Sequence, residues 1–164
     1  MSDTTPTDDE RFMRRAIELA RKVAIEDRAA GPFGCVVVKD GEVVAEGVNR
    51  VLSDGDPTAH GEMVALREAC RALGTHDLSG CIVYSSSEPC PMCYAACWWA
   101  RVDAIRYAST IDDAHGYGGF DDRPILDALA HPPAKRPLRA TECCRDEMLE
   151  VWKEFEALQD RPWY

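Results

Sequence analysis

His60, Glu62, Cys90 and Cys93 are the residues of this chain whose types and spacing can do chemistry together. They stand in His60-Gly61-Glu62 and, some thirty residues on, in Pro89-Cys90-Pro91-Met92-Cys93. One imidazole and two thiolates make three zinc ligands. A structural zinc fills all four positions with protein atoms, whereas a catalytic zinc keeps one position for water. A carboxylate beside the histidine, not itself a ligand, completes the H-x-E…P-C-x-x-C pattern. In that pattern the carboxylate moves protons while water displaces an amino group from a nitrogen heterocycle. Cys90-x-x-Cys93 alone is a weak signal and His60-x-Glu62 alone is almost none. Their order, with Pro89 ahead of the first cysteine, makes the combination specific. The expected cofactor is therefore one Zn2+ per subunit on His60, Cys90 and Cys93, with Glu62 as the catalytic proton shuttle. A structural site would need a fourth ligand, and only distant residues such as His115 or Cys143 could supply it.

These four side chains must be carried to one point by the elements around them. Cys90 and Cys93 open a predicted helix running to Arg101, where the positive end of the helix dipole favours anionic sulfur. A second helix, starting near residues 58–60, has its apolar face at Met63, Leu66, Ala69, Cys70 and Leu73 and is closed by Gly74. Residues two apart on a regular helix point about 200° away from each other. His60 and Glu62 can thus share a pocket only if it lies off the helix end, a geometry that Gly61 permits.

Upstream, Thr7 with Glu10 reads as a capping box. Phe12, Ala16, Leu19, Ala20 and Val23 then recur at helical spacing, predicting a helix over residues 9–29. Residues 35–39 and 42–46 flank Asp40-Gly41, a strong hairpin signal. Residues 48–56 read as a loop. Strands are expected at 81–85 and 103–108, with a weak fifth strand at 138–141. Residues 116–119 read as a flexible loop, 124–129 as a short helix, and 131–137 as a Pro-rich linker. The final helix is expected at 147–158, with Met148, Val151, Trp152 and Phe155 on one face. Helix, hairpin, then alternating helices and strands predict a three-layer α/β/α domain with a five-stranded mixed sheet. Residues 1–8 are expected to be a disordered tail and 9–164 a single domain.

The chain has 164 residues and a formal charge of −10. It shows no basic stripe of the kind that grips phosphates, so the balance favours a small free substrate over nucleic acid. Arg14, Arg15, Arg21 and Lys22 read as a solvated helix face. No apolar run approaches the roughly 20 residues that span a bilayer. Eight cysteines without a secretory signal point to a reducing cytoplasm. Cys35, Cys70, Cys81 and Cys97 read as core residues, and Cys143-Cys144 as structural.

The likeness extends beyond the metal motif. Gly31-Pro32-Phe33-Gly34, Lys39-Asp40-Gly41, Asn49, Asp56-Pro57-Thr58-Ala59-His60, Glu88-Pro89-Cys90-Pro91-Met92-Cys93, Gly119-Phe120-Asp121-Asp122 and the terminal Tyr164 together resemble the bacterial guanine deaminases of the cytidine-deaminase-like fold. The resemblance implies hydrolysis of guanine to xanthine and ammonia. It implies that Phe33 stacks on the purine, that the Asn49 amide bonds its edge and that Trp99 lines the pocket. An aspartate of Asp121-Asp122, best matched by Asp122, would contact the ring and pass protons. It also implies a homodimer in which residues 142–164 cross to a partner subunit and place Tyr164 over that subunit's site. Gly61, where the family usually has alanine, is counted with the substrate-facing positions. Other departures are Ser87 for a cysteine, a longer loop at 116–119 and a poorly matching stretch from 127 to 138. They leave guanosine, cytosine or an aminotriazine as alternative substrates. A tRNA adenosine deaminase and a non-catalytic zinc-stabilised binding module are further alternatives. On the residues alone, Phe33 and Trp99 also read as core, Asn49 as a turn former and Asp121-Asp122 as a helix cap.

Overall fold

The computed structural model describes residues 7–162. Most of the expected N-terminal tail, and Tyr164, lie outside the described residues. The chain forms two compact units, one reaching to Asp122 and the other beginning at Arg123.

The first unit opens on α1 (Asp8–Arg21), whose N-cap Thr7 and N3 residue Glu10 form the capping box. From Lys22 to Glu26 the helix widens to π geometry, with the Asp27 N–H reaching the Lys22 carbonyl at 2.9 Å. The helical stretch therefore ends short of residue 29. Strands β1 (Gly34–Lys39) and β2 (Glu42–Val48) are joined by Asp40 and Gly41, both at positive φ (52° and 79°) as a tight hairpin turn demands. After the short α2 (Val51–Asp54) come α3 (Gly61–Leu73), β3 (Cys81–Ser87), α4 (Pro91–Trp99), β4 (Ala104–Ser109) and α5 (Ile111–Gly118). The sheet order is β2-β1-β3-β4; β1 is antiparallel to both neighbours and β4 is parallel to β3.

Alternation along β1 builds the three layers. Val36 and Val38 face α1 and pack with Phe12, Ala16 and Tyr84. Cys35 and Val37 face the other way, into a core made with Ala65, Leu66 and Ala69 of α3 and Cys97 of α4. Cys35, Cys81 and Cys97 are core residues, while Cys70 is half-buried at the edge of that core. The buried side of α3 runs through Val64, Ala65, Leu66 and Ala69, leaving Met63 half-buried and Leu73 at the surface. It is thus rotated from the face read in the sequence. Gly47 explains how closely α3 lies on β2: a Cβ there would sit 2.2 Å from the Gly61 carbonyl oxygen. Arg15 departs from its expected role as a solvated cation. Its guanidinium donates from Nε and Nη2 to both Glu46 oxygens, at 2.7 and 2.8 Å, tying α1 to β2.

Two expectations fail here. The sheet has four strands among the described residues, because 138–141 is not a strand. Leu138 is its only large apolar residue and stands exposed, and Pro137 before it has no N–H for a ladder. Residues 116–118 are helical, not loop. The capping box Thr110/Asp113 nucleates α5, and it runs on until Gly119 ends it in the left-handed conformation.

The second unit holds α6 (Arg123–Leu129), a single 3-10 turn at Pro133–Lys135, and α7 (Arg145–Ala157). The α7 residues Met148, Val151 and Trp152 are exposed, as are Cys143 and Cys144. The adjacent cysteines are therefore not core. Among the described residues no helix is long and apolar enough to cross a membrane.

Candidate active site

Two helix starts converge on one point. His60 is the N-cap of α3 and Cys90 the N-cap of α4, both with extended backbone. Being caps, these residues project off the helix ends. That resolves the angular conflict between His60 and Glu62, since only Glu62, in the first turn, lies on the helix itself. Pro91 at N1 suits the start of α4, where no N–H is needed. The approach to His60 is fixed by a turn in which the Thr58 N–H and hydroxyl both donate to Asp56 Oδ1, at 2.8 and 2.7 Å. Ala59 is buried, and its carbonyl accepts the Arg50 N–H at 2.8 Å.

The donor set fits zinc. His60 Nδ1 lies 3.6 Å from both Cys90 Sγ and Cys93 Sγ. Tetrahedral zinc, with Zn–S of about 2.3 Å and Zn–N of about 2.0 Å, sets nitrogen and sulfur about 3.5 Å apart. Among the described residues this His/Cys/Cys group has three members, within 4.8 Å of one another. The Cys90 thiol is held down at about 4, first by a hydrogen bond from Cys93, which outweighs burial, and then by His60. Donating that bond pushes the Cys93 thiol up, as does its burial. The bond to Cys90 raises the His60 imidazole. One proton of the dithiol leaves easily and the second is retained. A bound dication favours loss of the second as well.

Glu62 is 5% exposed and adjoins this group. Ser85 Oγ donates to its Oε1 at 3.1 Å, and Cys93 Sγ lies 3.5 Å from its Oε2. Burial pushes its carboxyl up, against the Ser85 bond. A buried carboxyl beside a metal position, oriented by its hydrogen bonds, is equipped to exchange protons with a neighbouring water.

A cleft of about 300 Å3 opens over the group and brings together Phe33, Asn49, His60, Glu62, Cys90 and Asp122. Asn49 is both turn former and cleft residue. Its Oδ1 accepts the Val51 N–H at 3.1 Å, which leaves the NH2 to donate. Phe33 meets Phe120 edge to face, with ring centroids 4.9 Å apart. Its loop is held by Ser86, whose Oγ accepts the Gly34 N–H at 3.0 Å and donates to the Pro32 carbonyl at 3.2 Å. Asp122 is half-buried, and burial and the nearby Cys90 thiolate raise its carboxyl. Asp121 turns toward His115, 3.6 Å from its Nδ1, and does not line the cleft. Gly61 does not line the cleft; a Cβ there would lie 3.0 Å from the Phe33 carbonyl oxygen. Trp99 does not line the cleft. It is 65% exposed at the end of α4, beside a separate depression shared with Trp98, Arg101 and Val102. Ser85, Ser86, Glu88, Leu52 and Phe120 are the site residues that sequence reasoning missed. The run Ser85-Ser86-Ser87, buried at the end of a strand that leads into the cysteine motif, was the available signal.

Comparison with known proteins agrees with this geometry. A family model for the cytidine and deoxycytidylate deaminase zinc-binding region matches residues 6–109. The guanine deaminase of Bacillus subtilis is 42% identical over 149 residues, covering 89% of this chain and 94% of that protein. The crystal structure of guanine deaminase from Bacillus subtilis superimposes with a TM-score of 0.88 at 40% identity, over 94% of this chain and 98% of that one. The tRNA-specific adenosine deaminase of Aquifex aeolicus is 38% identical over 107 residues, 65% of this chain and 69% of that protein. The motif, the tetrahedral spacing of its donors and these matches agree: the chain belongs to the cytidine and deoxycytidylate deaminase zinc-binding family, as a guanine deaminase homologue and a zinc-dependent hydrolytic deaminase.

Proposed function

We propose that this enzyme hydrolyses guanine to xanthine and ammonia. The observation that carries the reading is a buried Glu62 at the His60/Cys90/Cys93 group, facing a cleft whose polar lining is dominated by acceptors. Glu62, Glu88 and Asp122 all line that cleft, and its described lining residues include no lysine or arginine. Guanine presents N–H donors beside its amino-bearing carbon and carries no phosphate. The Glu62 and Asp122 carboxylates suit such a base, and the acidic lining repels a nucleotide or a nucleic-acid backbone.

Zinc bound by His60, Cys90 and Cys93 supplies Lewis-acid activation of water near neutral pH. Phe33 stacks on the purine and the Asn49 NH2 donates to its edge. Glu62 takes a proton from the attacking water and passes it to the ring nitrogen next to the amino-bearing carbon. The water oxygen bonds to that carbon, and the bond to the amino group breaks. Glu62, assisted by Asp122, takes the second proton from that oxygen and delivers it to the departing nitrogen, which leaves as ammonia.

We further propose a homodimer in which residues 142–164 pass to a partner subunit and Tyr164 covers its cleft. Exposed Tyr94, Trp98 and Trp99 on α4, and Met148, Val151 and Trp152 on α7, support this reading, since large exposed apolar groups mark contact surfaces. So does Leu52, 78% exposed at the cleft.

The test is ammonia release from guanine, guanosine, GMP, cytosine and adenine by the zinc-loaded enzyme, with a tRNA gel shift at low salt. Guanine is expected to have the highest kcat/KM, GMP to be inert and tRNA to stay unshifted. A higher value for guanosine or cytosine, or tRNA binding, overturns the assignment.

A further inference from the structure

We propose that Glu88 is a positioning residue for the reaction, holding Phe120 and Asp122 at the cleft through its grip on the start of α5. The inference rests on the reading of the cleft as the base site. Glu88 stands between the end of β3 and the ligand turn at Cys90. Its N–H donates to the Ser109 carbonyl, at the end of β4, at 2.7 Å. Its Oε2 accepts the N–H of Ile111, the first residue of α5, at 3.1 Å.

The first N–H groups of a helix have no partner within it. In α5 the Thr110 hydroxyl takes the Asp113 N–H at 3.1 Å, and the Ile111 N–H falls to Glu88. An anionic acceptor is also the one that the helix dipole favours at this end. One side chain thus ties the turn presenting a metal thiolate to a helix whose far end returns the chain to the site. At that far end Gly119, at φ 73°, turns the chain into Phe120 and Asp122, both of which line the cleft. The Phe120 ring fits against Gly118 and Gly31, where an added Cβ would approach it to 2.8 Å at either position. Glu88 is thus an anchor at the start of the arm from Ile111 to Asp122, beside the Thr110/Asp113 capping box. Glu88 also lines the cleft itself, so direct charge contact with substrate is the competing role.

Steady-state kinetics of zinc-loaded variants separate the two roles. Glu88→Gln keeps an acceptor oxygen and retains kcat within about threefold. Glu88→Ala lowers kcat about 10- to 100-fold at unchanged zinc content. Most of that loss disappears in an Asp122→Asn background, because the two residues act through one element. Ile111→Pro removes the same N–H where proline suits a helix, and reproduces the loss if Glu88→Ala does not fold. Equal damage from glutamine and alanine, full additivity with Asp122→Asn, or an active Ile111→Pro enzyme overturns the proposal. Failure of the guanine assignment would appear separately, as no ammonia from guanine with the unmodified enzyme.

Discussion

Replacing Gly47 with alanine tests how the fold holds the site. The new Cβ would lie 2.2 Å from the Gly61 carbonyl oxygen and 2.5 Å from the Ala65 nitrogen. Both are backbone atoms in the first turns of α3, so no side chain can rotate out of the way. The start of α3 must retreat by about 1 Å to restore ordinary packing. Overpacking of this kind costs about 1–3 kcal/mol, or roughly 2–12 °C in Tm for a chain of this length. The catalytic effect is larger, because that turn carries His60 and Glu62. A displacement of about 1 Å costs about 10²-fold in turnover. Differential scanning calorimetry and kcat on the zinc-loaded protein read both effects. A Gly47→Ala enzyme with unchanged Tm and full kcat would refute the claim that contact with β2 fixes this end of α3.

The sign reverses at Gly116, inside α5, where an added Cβ meets nothing within 4 Å. Gly116→Ala should stabilise the protein by up to about 1 kcal/mol, seen as a rise in denaturant midpoint. Ser85→Ala removes a hydroxyl that holds Glu62 and should lower kcat about tenfold with little change in KM; an equal kcat would mean that the Ser85 bond does not orient Glu62. Thiol titration of the native zinc-loaded enzyme should leave the buried Cys35, Cys81, Cys90, Cys93 and Cys97 protected, with the fast class confined to the exposed Cys143 and Cys144 and the half-buried Cys70. Fast reaction of more than three groups would contradict that burial.

The chemistry of the site was legible because ligand types and spacing are local facts. His60, Glu62, Cys90 and Cys93 each sit within the first turn of a helix or at its cap, so the motif alone nearly fixes their directions. The four strands were legible for a similar reason, since Asp40-Gly41 and the valine run of β1 leave little choice. Residues whose roles depend on distant packing were not. Ser85 and Ser86 matter only because β3 ends beside Glu62 and the Phe33 loop. Trp99 could not be placed by its type, because one helix presents both core and surface faces, and it falls on the surface. The last turn of α5, residues 116–118, reads as loop in the sequence because its glycines outweigh, on paper, a capping box that wins in the fold. The strand expected at 138–141 lacked the alternation that would make burial favourable.

Zinc K-edge absorption on the zinc-loaded enzyme tests the central claim most directly. The expected spectrum has two sulfur atoms at about 2.3 Å, one imidazole nitrogen and one light atom from solvent, with the sulfur signal halved in Cys90→Ser. A fourth protein ligand closing the ion's coordination, or no zinc on these three residues, would contradict it.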